Sequence, residues 1–164
     1  MKRVEWRKRI VTPEKAVECI EDGQRVWIHP GTATPQHLVD AMVARGKELQ
    51  DVEVVHILHF GRADYVKSEF EGHFRANNFF LGPNTRGAVN EGRADFVPMF
   101  LGEVPLLFKS REMQIDVAML HLTPPDEHGF CSYGVGVDCT KAAADTAKIR
   151  IAQTSMWGER GITI

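Results

Sequence analysis

The chain has 164 residues, 43% of them hydrophobic and 26% charged, with a formal charge of −2. This is room for one ordinary domain with a real core and little space for two, in a composition typical of folded globular proteins. The near-neutral charge argues against broad binding to nucleic acid or anionic lipid.

No apolar run approaches the roughly 18 residues needed to span a bilayer. An odd cysteine count (Cys19, Cys131, Cys139) with no CxxC pair argues against both a disulfide framework and a zinc site, so the chain reads as cytoplasmic and reduced. Its N-terminus is locally basic, with Lys2, Arg3, Arg7, Lys8 and Arg9 against Glu5. It lacks serines and leads straight into a helix start, which makes it a poor transit peptide.

Short β-rich runs alternate with helical patterns, which predicts βαβ units and a single open, mainly parallel sheet in one α/β domain. Thr12-Pro13-Glu14 reads as an N-cap, a proline at the first helical position and an acidic first turn. That helix should run through Ala16, Val17 and Ile20 and stop near Asp22-Gly23. Residues 25–29 form the first strand. After the loop 30–35, residues 36–45 place Leu38, Ala41 and Met42 on one helical face, with Gly46 as the stop. Residues 52–58 are the strongest strand, apolar enough for a central position.

Residues 60–75 are charged and without clean period, and read as a long excursion over the surface. A short strand at 77–81 precedes a helix at 84–91, which Asn84 or Thr85 would cap. A strand at 95–100 and a helix at 103–108 come next, then a confident strand at 116–122. The Pro- and Gly-rich segment 123–136 makes a turn and a returning, hairpin-like strand. A last helix at 138–147, capped by Asp138 or Thr140, leads to the strand 148–152.

Two loops are able to hold a ligand. His29-Pro30-Gly31-Thr32-Ala33-Thr34-Pro35 joins a strand to a helix, and in open α/β sheets such loops lie at the carboxyl ends of the strands, where ligands bind. Gly31 permits close backbone approach, and the threonine hydroxyls suit an anionic or amide group near a helix N-terminus. An ordinary βα turn in which Thr34 caps the helix is the alternative. Neither the GxGxxG fingerprint nor a P-loop is present. Phe80-Leu81-Gly82-Pro83-Asn84-Thr85-Arg86 places an arginine in a first helical turn, where the helix dipole disfavours it. It either binds a phosphate or carboxylate, or pairs with Glu91 or Asp95.

Pro124-Pro125-Asp126-Glu127-His128-Gly129 invites an acid/base reading, but consecutive side chains diverge and the residues are good turn formers. His56 and His59, three apart beside a strand, should point to opposite faces, and His29 and His37 lack ligand spacing, so no metal site is expected. Neither Cys131 nor Cys139 has a sequence neighbour that would activate it. Trp6, Trp27 and Trp157 read as packing residues.

Three stretches taken together go further. Pro30 to Pro35, Phe80 to Met99 (FLGPNTRGAVNEGRADFVPM) and Pro124 to Ser132 (PPDEHGFCS) resemble the acetyl-CoA hydrolase/transferase family, in particular its 4-hydroxybutyrate CoA-transferase-like members. The likeness runs from about residue 3 to Ala152. It implies the N-terminal half of a class I CoA-transferase, with the NagB/RpiA/CoA-transferase-like fold: two similar α/β domains around a cleft, assembled as dimers or larger. The implied chemistry is a ping-pong transfer of CoA from an acyl-CoA to a small carboxylic acid through a glutamyl-CoA thioester. Coenzyme A thioester is then a substrate, and no covalently bound cofactor is implied.

The family's glutamate lies in the second domain, so no catalytic residue carries over to this chain. What carries over is one wall of the cleft: Gly31, Thr32 and Ala33, then Asn84 and Arg86, then Pro98 and Met99. Relatives have serine where Pro30 and Thr123 stand here, which reshapes the cleft. After Ala152 the text of residues 153–164 departs from the family, as a frameshift, a truncation or a genuinely short paralogue would. The resemblance thus implies a domain that is inactive alone and packs on a second CoA-transferase domain or on itself. The alternative is a stand-alone module that binds or senses an acyl-CoA or small metabolite.

Overall fold

The computed structural model of the chain describes residues 6–154 and 161–163. A 3-10 turn at Trp6–Arg9 leads into β1 (Ile10–Val11), α1 (Pro13–Ala16), β2 (Arg25–Ile28) and α2 (Gln36–Ala44). Then come β3 (Val52–His56), β4 (Phe74–Asn78), α3 (Pro83–Asn90), β5 (Asp95–Phe96) and α4 (Val104–Lys109). The chain continues through β6 (Val117–Leu122), α5 (Thr140–Thr146), β7 (Ile149–Thr154) and β8 (Gly161–Thr163). The strands form one sheet in the order β1-β8-β7-β6-β2-β3-β4-β5. Every pair from β7 across to β5 is parallel, while β8 lies antiparallel between β7 and β1.

Alternation along the central strands supplies both layers of the core, because successive side chains leave opposite faces of a sheet. Val26, Ile28, Val54, Val117 and Met119 face α1 and α2, whose Leu38, Val39 and Met42 meet them. Trp27, Val55, Ala118 and Leu120 face the other way, onto Val104 and Phe108 of α4 and Ala142–Ala144 of α5. Strands buried on both faces must be apolar throughout, which is why they were legible as strands. Trp27 packs edge-on against Phe108 at 5.2 Å between ring centres and donates its indole N–H to Thr140 Oγ1 at 3.3 Å. The side chain of Trp6 and all of Trp157 lie outside the described residues.

From β2 the chain steps through β3 and β4 to β5, then returns to the opposite side of β2 for β6 and steps outward to β7. The order therefore reverses between β2 and β6. The connection after β2 leads to α2 on one face of the sheet, and the connection after β6 leads to α5 on the other. Two loops that part in this way leave a crevice at the carboxyl ends of the strands.

Several expectations are corrected. The first helix is only one α-turn, capped by Thr12 Oγ1, and finishes as 3-10 over Val17–Cys19. Residues 60–75 do run largely over the surface, but not as a structureless excursion. They hold two 3-10 turns, a buried Tyr65, and Phe74 at the head of β4. The fourth strand lies three residues earlier than expected, since Arg75 and Asn77 occupy its polar face. There Arg75 binds Asp95, and Asn77 donates to Glu53 at 2.7 Å. The strand after α3 is cut to Asp95–Phe96. Neither Asn84 nor Thr85 caps α3, whose N-cap is Gly82. The return from the 123–136 turn is tied by Thr123 and Ser132, whose N–H groups donate to Ser132 O (2.9 Å) and Thr123 Oγ1 (2.8 Å), without forming a regular strand. Asp138 does serve the last helix, accepting the Thr140 N–H at 3.1 Å.

Candidate functional site

The crevice between β2 and β6 is built on a histidine. His29, fully buried at the end of β2, accepts the His121 N–H at Nδ1 (3.2 Å) and donates from Nε2 to the Gly136 carbonyl (2.7 Å). These two bonds set its tautomer and tie the two diverging loops together. Desolvation is the largest influence on its pKa and holds it below the ordinary imidazole value, so the ring stays neutral at pH 7.

Directly beyond it, Gly31 takes φ +64°, a left-handed conformation that costs a residue with a Cβ. Its N–H donates to Leu58 O at 2.6 Å, and Gly31 bridges His59 in parallel register. Thr34 Oγ1 donates to Gly31 O at 2.9 Å, closing the corner from below, so Thr34 braces the loop and does not cap α2. Thr32 is exposed at the apex. Ala33 is buried, and a Cβ added to Gly136 would meet the Ala33 Cβ at 4.0 Å, an ordinary van der Waals contact. The α2 N-terminus takes its acceptor from the far side of the crevice, where Gln153 Oε1 on β7 accepts the His37 N–H at 3.0 Å.

A third loop, residues 57–63, completes this wall and was not singled out by sequence. Gln36 of α2 holds it by accepting the Arg62 N–H (2.9 Å) and donating to Arg62 O (3.3 Å). Asn84 at the start of α3 holds it from the opposite side, donating Nδ2 to His59 O and Gly61 O at 2.9 Å each. The Asn84 amide is thus turned inward. Arg86 is exposed, and its one hydrogen bond is a long one to Leu81 O at 3.4 Å. The expected partners are taken: Glu91 pairs with Arg93, and Asp95 with Arg75.

Pro98 and Met99 follow β5 on a segment that turns back across the α4–α5 layer, where Leu101 O accepts the Cys139 thiol at 3.5 Å. Met99 packs into the α4 side of the core. The fold therefore brings Gly31, Thr32 and Ala33 together at the crevice and sets Asn84 and Arg86 beside it, while Pro98 and Met99 lie on the segment between β5 and α4.

The Pro124–Gly129 segment is a turn. Asp126 Oδ1 accepts the N–H groups of His128 (2.8 Å) and Phe130 (2.9 Å), and Gly129 takes φ +88°. Those bonds, the Phe130 amide foremost, lower the Asp126 pKa. His56 and His59 do not diverge as expected. The strand ends at His56 and the chain curls, so their rings stand 5.3 Å apart in one buried group with Tyr65. Burial raises the thiol pKa of Cys131 and pushes Cys139 up to about 12, so neither is a ready nucleophile. Exposed Phe60, Phe80, Phe100, Leu101, Phe130 and Val135 all lie on loops at the carboxyl ends of the strands.

Comparison with known proteins adds the following. Residues 1–156 match the family described as the acetyl-CoA hydrolase/transferase N-terminal domain. The 4-hydroxybutyrate coenzyme A transferase of Clostridium kluyveri is 42% identical over 150 residues, which are 92% of this chain and 35% of that protein. The crystal structure of 4-hydroxybutyrate CoA-transferase from Porphyromonas gingivalis superposes with a TM-score of 0.73 at 27% identity, over 96% of this chain and 37% of that one. RipA from Yersinia pestis, at 24% identity, shares the fold with a TM-score of 0.81 over 91% of this chain and 37% of its own. This chain thus spans about a third of the length of these relatives.

Proposed function

Because the chain belongs to the acetyl-CoA hydrolase/transferase family, as its N-terminal domain, we propose that it forms one wall of a CoA-transferase cleft. The enzyme it serves moves coenzyme A from an acyl-CoA, of the acetyl or 4-hydroxybutyryl kind, to a small carboxylic acid. The observation that carries this reading is the Gly31–Thr32 corner, placed at the point where strand order reverses and left without a side chain at its closest approach. Thr32 lies at the mouth of the crevice, and the exposed Arg86 supplies a cation for a phosphate or carboxylate approaching α3. Asn84 and Ala33 support the wall from within. Pro98 and Met99, on the segment after β5, belong to the reading as outer contacts.

The covalent steps fall to a second domain. There a glutamate carboxylate attacks the thioester carbonyl and expels CoA thiolate, leaving a mixed anhydride. The thiolate then attacks the glutamyl carbonyl of the anhydride and releases the first carboxylic acid as its carboxylate. The acceptor carboxylate repeats these exchanges in reverse order, and the glutamate is regenerated. Carboxylates of this chain near the crevice are already engaged: Asp126 holds its turn and Asp138 the start of α5. Of residues 153–164, which we read as a departure from the family text, 153–156 fall inside the family match, β7 runs through Thr154, and the backbone of residues 161–163 joins the sheet. The three unpaired cysteines suit a cytoplasmic setting, and no helix among the described residues is long and apolar enough to cross a membrane.

The test is CoA release from acetyl-CoA, with the purified chain alone and mixed with the C-terminal two thirds of the Clostridium kluyveri relative. We expect none alone and transfer in the mixture; release by the chain alone, in proportion to its amount, would overturn the reading. Translating the gene beyond the codon for Ile164 in all three frames asks the same question of the DNA, since a following glutamate-bearing domain is expected. A monodisperse chain that binds CoA and has no such domain encoded beside it would instead be a binding module. Gly31→Val places a β-branched side chain at φ +64° in the path of the ligand. It should abolish CoA affinity by isothermal titration, and unchanged affinity would remove this loop from the site.

A further inference from the structure

The His56–Tyr65–His59 group lies beneath the 57–63 loop and has no role in the function just proposed. Its hydrogen bonds define it closely. His56 donates from Nδ1 to Ile57 O at 3.0 Å and accepts the Tyr65 hydroxyl at Nε2, 2.9 Å away. His59 turns Nδ1 to the Asn84 amide at 3.1 Å, which leaves its proton on Nε2, a buried atom with no partner among the described residues. Both imidazoles are at most 1% exposed. Asn84 Nδ2 also faces the carbonyls of His59 and Gly61, the two ends of the stretch that carries Phe60, so its two hydrogens are shared among three acceptors.

We propose that the Asn84 carboxamide, standing on the His56–Tyr65–His59 group, is a positioning clasp that holds the 57–63 loop beside Gly31, and that acid releases it. In the closed state burial disfavours a proton on either ring, outweighing the Ile57 carbonyl at His56 and the Gly61 carbonyl at His59. His56 has both nitrogens committed, and protonating His59 at Nδ1 sets an N–H against the Asn84 amide. No carboxylate offsets the charge, because those on the surrounding elements are engaged elsewhere. Asp40 of α2 pairs with Arg62 of the loop, Asp64 beside Tyr65 pairs with Lys67, and Asp95 of β5 pairs with Arg75. Arg86 of α3 reaches Leu81 O, and Tyr65, raised by burial, stays a neutral donor. The unclasped loop lets the His59 ring meet water and take up a proton, so opening is favoured as pH falls.

The experiment is amide hydrogen exchange of the full chain at pH 7 and pH 5, corrected for the intrinsic rate, comparing peptides over 57–63 with those over β6 and β7. His59 titrates at about 4 when closed and about 6.5 when open, so exchange of the loop should rise about twentyfold between the two pH values. His59→Gln should flatten that rise. Asn84→Asp, which sets a carboxylate against two carbonyls, should open the loop at pH 7 with β6 and β7 unchanged. Asn84→Ala serves where the aspartate variant does not fold. A loop whose exchange ignores pH and both Asn84 variants, or protection lost evenly across the sheet, would overturn the clasp. None of these readouts requires CoA to bind, so the clasp and the proposed function fail separately.

Discussion

At the scale of single residues, the informative side chains are polar ones used inside the protein. Thr140 is the clearest case. It is fully buried, accepts the Trp27 indole N–H and donates to Asp138 Oδ1 at 3.2 Å, so one hydroxyl satisfies the largest core aromatic and the start of α5. Thr140→Val keeps the shape and removes both bonds. It should lower stability by about 1–3 kcal/mol, the cost of a buried donor left unpaired, and urea unfolding will read it. His29 binds the β2 and β6 loops by the same logic, as does Asn84 with the 57–63 loop. Asn84 was legible as a motif residue, but its inward turn was not, because nothing in the local sequence says that two carbonyls from residues 59 and 61 will arrive beside it.

At the scale of elements, α2 shows how a correct boundary can rest on the wrong cause. Gly46 does end the helix, as expected, and a glycine there commonly serves as a left-handed cap. Its φ is not in the left-handed region, however, and the chain passes through it into a 3-10 turn, Gly46–Glu48. The glycine is there for space: a Cβ would stand 2.6 Å from Phe70 Cε1 and 2.7 Å from Phe74 Cε2. Gly46→Ala should therefore destabilise by about 1–3 kcal/mol through overpacking, against alanine's better helix propensity. A higher thermal midpoint would show that the two rings yield. The fourth strand was misplaced for a related reason. Phe79 and Phe80 look more strand-like than Phe74-Arg75-Ala76, yet Arg75 belongs in a strand because Asp95 waits on the neighbouring one. Cross-strand pairing outweighs intrinsic preference there.

For the whole molecule, four imidazoles sit at or near the carboxyl ends of the central strands, all with pKa values held down chiefly by burial: His29, His121, His59 at about 4 and His56 at about 3. A base held below its free value of about 6.5 binds fewer protons folded than unfolded. Its contribution is whole above that value and drains away as the pH falls toward the folded one. The urea midpoint should accordingly drop between pH 7 and pH 5, and a midpoint that holds or rises would contradict the buried, neutral rings. These histidine pairs could not be read along the chain, since His29 meets His121 only when β2 and β6 pair, and His56 meets His59 only because the chain curls after β3. What the sequence determined by itself was the alternation of apolar strands and amphipathic helices, hence the mainly parallel α/β domain, together with a family resemblance carried by three ordered motifs. Those signals are local, set by periodicity and by residues a few positions apart. Only the tertiary structure decided which motif residues meet. Strand order lays the unremarked 57–63 loop against Gly31, because neighbours in a sheet are chosen by crossovers and packing, not by distance along the chain.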